Sequence, residues 1–121
     1  MSEMRQTQIL VTLAPVTVTP DDQATTNDYA DIGLVDSWGK TRIVFVITNI
    51  DLANSIDWKV MASIDNVTFV ELEAEAALAA DTTASWVASA AEASYRYFKL
   101  QVKSTVPDSH GEARVRGYAK M

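Results

Sequence analysis

The chain of 121 residues contains no cysteine. Disulfide scaffolds, thiolate zinc sites and cysteine nucleophiles are therefore excluded. The absence also fits synthesis in a reducing cytoplasm. Glycine and proline are sparse, at four and three residues, which excludes collagen-like and low-complexity classes. The glycines, Gly33, Gly39, Gly111 and Gly117, lie too far apart for a phosphate-binding loop or a dinucleotide fingerprint. One histidine, His110, cannot build a zinc site without cysteine. No acidic run has EF-hand spacing, although Asp21-Asp22 is an acid-rich loop. No cofactor and no metal are expected.

Long apolar runs are also missing. None approaches the ~20 residues that cross a bilayer. The opening stretch MSEMRQTQILV lacks the charged, apolar and cleavage regions of a signal peptide. The expectation is a protein that is neither exported nor membrane-embedded. The Asn66-Val67-Thr68 glycosylation sequon is then an accidental match.

What is present is globular. Hydrophobic residues make up 48% and charged residues 21%, enough apolar mass for one domain with a real core. The net charge of −6 argues against general nucleic-acid binding. It is unevenly placed. From Tyr95 onward, six basic residues face only Asp108 and Glu112, a balance of about +4. Residues 1–94 carry four basic and fourteen acidic residues, about −10. A basic face on an acidic body is one reading; chance clustering on a solvated surface is the other.

Periodicity indicates strands. Residues 1–8 read as a loose arm and 9–121 as the folded domain. Ile9, Val11 and Leu13 alternate with polar and apolar neighbours, and Val16 and Val18 continue beyond Pro15. TPDDQATTNDY reads as a loop, ADIGLV as a short strand and DSWGKT as a turn. RIVFVITN is a continuous β-branched and aromatic run. Ile56, Trp58, Val60, Ala62 and Ile64 then alternate with Asp57, Lys59, Met61 and Ser63. Asp65-Asn66 marks a hairpin turn, because both residues tolerate left-handed backbone. Residues 71–80 are rich in helix formers and fit either helix or strand; the surrounding β pattern favours strand, loop, strand. YRYFKLQVKS and ARVRGYAKM complete about eight strands. The fold class is all-β, an antiparallel sandwich or jelly roll.

Few residues suggest chemistry. Ser109 and Asp108 adjoin His110, but adjacency on a loop is not triad geometry. Glu71, Glu73 and Glu75 would share one strand face and repel unless solvated, which is not a cleft pair with split pKa values. A non-enzymatic role is expected. Trp58 reads as core and Trp38, beside Gly39 in a turn, as exposed; Trp86 is open between the two. If the last two strands pair, their polar faces combine Tyr97, Lys99, Lys103, Arg114, Arg116 and Tyr118 into one basic-aromatic surface. With Trp38, these are the candidate interaction residues. The alternative is an ordinary solvated face.

From Arg42 to Met121, about two thirds of the chain, the pattern resembles small β-sandwich structural proteins of tailed bacteriophages. RIVFVITN, DWKVMASIDNVTFVEL, an Ala/Thr-rich stretch and YRYFKLQVKS carry the resemblance. Its signature is the Ser63-x-Asp65 turn with an aromatic just beyond, here Phe69 where Trp is often seen; Asn66 stands where Gly is common. The resemblance implies a virion protein made in the host cytoplasm, a capsid decoration (cement) protein on the head surface. It also implies a homo-oligomer, with a trimer favoured, whose partner is the major capsid protein. A tail, neck or fibre component, or a carbohydrate- or protein-binding module, are the alternatives.

Overall fold

The computed structural model describes residues 15–121. The arm expected over 1–8 and the strand expected over 9–13 lie outside them. The described elements are β1 (Val16–Val18), β2 (Gln23–Ala24), β3 (Ala30–Asp36), β4 (Arg42–Asn49), β5 (Ile56–Ser63), β6 (Val70–Leu78), β7 (Thr82–Val87), β8 (Tyr97–Ser104) and β9 (Glu112–Lys120), with one 3-10 turn at Glu92–Ser94. They form two antiparallel sheets. One has the order β1-β9-β4-β7, with β2 also on β9; the other has the order β3-β8-β5-β6. The chain is an all-β sandwich, as its periodicity suggests. Residues 71–78 are strand, not helix, and 79–80 lead into the turn before β7: alternation lets β6 bury Leu78 while Glu71, Glu73 and Glu75 face out.

The core lies between the sheets. Ile43, Phe45 and Ile47 of β4 and Val115 of β9 face Val60 of β5 and Phe98, Leu100 and Val102 of β8, all fully buried. Fully burying each such side chain contributes about 1.5–3 kcal/mol. Trp86 joins the layers: its ring lies 6.3 Å from Phe45 in its own sheet and 6.3 Å from Phe98 in the other. Trp58 is also core, so both are absorbed by packing.

Two glycines permit close approach. A Cβ on Gly117 would lie 2.8 Å from Val35 Cγ2, and one on Gly33 would lie 2.9 Å from Val115 Cγ1. Gly33 also has φ +74°, within the register shift between Ile32 and Val35 where β3 bulges on β8.

The β5–β6 hairpin turns through a local network. Ser63 Oγ accepts the N–H groups of Asp65 (3.2 Å) and Asn66 (3.0 Å). Asp65 Oδ1 accepts those of Val67 and Thr68, both at 2.9 Å. Asn66 takes the left-handed conformation, φ 62°. The Ser-x-Asp signature thus satisfies four backbone donors that the turn leaves without strand partners.

Candidate functional site: the exposed faces and the Trp38 end

The last two strands do not pair. β8 lies in one sheet and β9 in the other. The surface expected from Tyr97, Lys99, Lys103, Arg114, Arg116 and Tyr118 therefore divides between opposite faces of the sandwich. The physical reason is that each strand carries one apolar row, and a sandwich buries both rows by facing them across the gap of ~10 Å. Alternation reveals which side chains point inward, but not which sheet a strand joins.

The β8 face is locally neutralised. Lys99 Nζ is 2.9 Å from Asp31 Oδ2 and 3.9 Å from the Phe69 ring centroid. Gln101 donates to Asp31 Oδ1 at 2.8 Å. Burial pushes the Asp31 carboxyl up, but the hydrogen bonds from Gln101 and Lys99 outweigh it and hold it below its ordinary value. Lys103 sits 3.5 Å from Glu75. Lys59 and Lys103 lie 4.3 and 5.2 Å from the Tyr29 ring. The basic groups of this face are satisfied within the chain.

The β9 face is different. Successive outward rows of the β9-β4-β7 sheet hold Lys120 with Arg42, then Tyr118 with Val44 and Val87, then Arg116 with Val46 and Ser85. The four ion pairs among the described residues use Arg96, Lys99, Lys103 and Arg114. Arg114 is held by Asp22, through hydrogen bonds of 3.0 and 2.9 Å. Among the described residues, Arg116 donates only to backbone carbonyls, those of Val115 and Pro20. This face is basic and partly apolar.

A third feature lies at one end of the sandwich. Trp38 is 61% exposed and holds φ 52°, an uncommon conformation for a bulky residue. Asp36 Oδ1 accepts the Trp38 N–H at 3.2 Å. Arg96 spans the site. Its guanidinium donates to both Asp36 carboxylate oxygens, at 2.9 and 3.0 Å. It also stacks 3.9 Å from the Trp38 ring and 5.0 Å from the Tyr97 ring. Arg96 foremost, then the Trp38 N–H, holds the Asp36 carboxyl below its ordinary value. The Arg96 N–H donates to Ser63 O at 3.2 Å, which brings the β5–β6 turn to the same end. There Ile64 and Val67 are 73% and 80% exposed.

Of the expected residues, Trp38 and Tyr97 are thus brought together through Arg96. Asp36, Arg96, Ile64 and Val67 were not anticipated. The only signal for them was the position of Asp36 and Arg96 beside turns, where bidentate pairing needs a tertiary contact that sequence does not show.

The Ser–His contact in the chain is not the one adjacency suggests. Ser104 Oγ lies 2.8 Å from His110 Nδ1 and 2.9 Å from Thr25 Oγ1. Ser104 is buried, and Thr25 also accepts the Gly111 N–H at 2.8 Å. The trio pins the β8–β9 connection to the residues after β2. Asp108 bonds Asn27 instead, at 3.1 Å. Among the described residues, no three histidine or acidic side chains gather as a metal-ligand cluster.

No protein-family model matches the chain, and no curated protein does. Solved structures share its fold. A protein from Bacillus endospore appendages, a family of disulfide-linked pili, aligns with a TM-score of 0.55 at 14% identity, covering 89% of this chain and 88% of its own. The SPBc2 prophage-derived protein YomS aligns at 0.59 and 14%, covering 88% of this chain and 92% of its own. The Yersinia pseudotuberculosis-derived mitogen aligns at 0.51 and 8%, covering 89% and 86%. At these identities the likeness is one of fold.

Proposed function

We propose that the protein is a non-enzymatic structural component of a tailed-phage particle, a decoration protein that binds the head shell as an oligomer. The Trp38 end carries this reading. Trp, Tyr and Arg are the residues that most often anchor protein interfaces. Here the Trp38 and Tyr97 rings lie against an Arg96 guanidinium that Asp36 holds before any partner arrives, so little side-chain freedom is lost on docking. Ile64 and Val67 extend the exposed apolar surface beside them. The resemblance over Arg42–Met121 and the fold shared with a prophage-derived protein agree with a phage setting.

Two measurements test it. Light scattering behind size exclusion is expected to give a mass near three times 13.2 kDa. Co-sedimentation with undecorated head shells is expected for the native chain and lost in Trp38→Ala. A strictly monomeric protein that ignores shells sinks the proposal. Quenching of Trp38 by an added glycan, without shell binding, would transfer the same surface to a carbohydrate-binding module.

A further inference from the structure

The basic face and the acidic edge of this chain are complementary, and among the described residues each is only partly neutralised within the chain, Arg114 by Asp22 on the face and Glu75 by Lys103 on the edge. On the β9 face, Arg42, Arg116 and Lys120 project outward beside Val46 and Val87. None of the three is in an ion pair among the described residues. On β6, the edge strand of the other sheet, Glu71 and Glu73 are exposed and likewise in no ion pair among the described residues, while Glu75 is held by Lys103. Val70, at the start of the same edge, is exposed as well.

We infer that these two surfaces meet between copies: the β6 edge of one subunit docks on the β9-β4-β7 face of the next. Two observations favour a second copy over a foreign partner. The charges are opposite and both belong to this chain, so each copy supplies both halves. Each charged row also has valine beside it, Val70 on the edge and Val46 and Val87 on the face, giving the contact an apolar centre. The two surfaces are different, so the contact is head-to-tail. It closes into a ring if the rotation between copies allows closure and extends into a filament if it does not. An exposed edge strand also invites pairing with another chain, and Glu71 and Glu73 along it select a basic surface over indiscriminate strand addition.

The inference rests on the reading of the protein as self-associating, and it names the surfaces that reading lacks. Its test is a charge-swap series read by light scattering at low ionic strength, with a thermal melt of each variant to verify folding. Arg116→Glu and Glu73→Arg, each alone, are expected to lower the mass to that of one subunit. The double variant Arg116→Glu with Glu73→Arg restores opposite charges at the contact and is expected to recover the oligomer. A monomeric native protein overturns the inference. So does an oligomer that either single reversal leaves intact, or a folded double variant that stays monomeric. Shell binding is read separately through Trp38, so loss of one contact is distinguishable from loss of the other.

Discussion

Arg96 and Asp36 are joined by two parallel hydrogen bonds of 2.9 and 3.0 Å, and that pair fixes the orientation of the Trp38 ring. The guanidinium is flat. With its edge committed to the carboxylate, one of its faces is free to support an indole. A lysine at position 96 would keep the charge and lose both functions.

Replacing Asp36 with Asn should release Arg96 and weaken the end of the sandwich. Both side chains are partly exposed, 39% for Arg96 and 30% for Asp36, so solvent screening keeps the cost modest. The sign of the pH dependence follows from the lowered Asp36 carboxyl. Its contribution is complete above the ordinary value of 3.8 and is lost as pH falls through the lower folded value. Chemical denaturation from neutral to acid pH should therefore show the native protein and Asp36→Asn converging as the pH drops. A difference between them that does not shrink in acid contradicts this account.

Asp57 gives the opposite sign. It is buried, its Oδ1 accepts from Thr105 at 2.8 Å, and burial followed by its Glu75 neighbour raises its carboxyl. A raised folded value means that stability is greatest when the group is protonated and declines as pH rises through that value. Asp57→Asn keeps the acceptor for Thr105 and removes the charge. It should melt higher than the native protein at neutral pH, with the advantage disappearing in acid. Equal melting temperatures at neutral pH would show that the buried charge costs nothing.

Trp86 should be the most costly tryptophan to remove. It contacts Phe45 and Phe98 and so touches both sheets. Trp86→Ala is expected to destabilise by about 3–5 kcal/mol, measured by urea denaturation. Trp38→Ala, at an exposed ring, should change stability far less. Equal losses at the two sites would contradict the separation of packing from recognition.

How much of this was legible in the sequence depends on the range of the signal. Strand positions were readable, because inward and outward residues alternate along β4, β5, β8 and β9. The β5–β6 turn was readable as well, since Ser63, Asp65 and Asn66 act over a few residues. Sheet membership was not. Val115 and Leu100 both belong to apolar rows, and nothing local says that those rows face each other instead of lying side by side. That one unknown decided the surface: Lys99 and Arg116 looked like neighbours and stand on opposite faces. The Arg96–Asp36 pair spans 60 residues, beyond any local pattern. Residues 71–80 were ambiguous because alanine and glutamate favour helices intrinsically, while an edge strand in a sandwich overrides that preference through packing.

Gly117 tests the closeness of the two sheets. It lies on the inner face of β9, and an added Cβ would meet Val35 Cγ2 at 2.8 Å and Phe45 Cε1 at 3.0 Å. Val35 and Phe45 are both fully buried and come from opposite sheets, so neither can withdraw without disturbing its own layer. Gly117→Ala should therefore cost about 1–3 kcal/mol, although alanine is small and the backbone is ordinary strand. The companion change Val35→Ala opens space where the clash occurs. On its own it should destabilise by leaving a cavity. Combined with Gly117→Ala, it should cost less than the two single losses added together, because the new methyl occupies part of the space the valine leaves. Urea denaturation of the four proteins closes this cycle. Strict additivity would mean that the two residues do not press on each other, and that the sheets have room at this point to move apart.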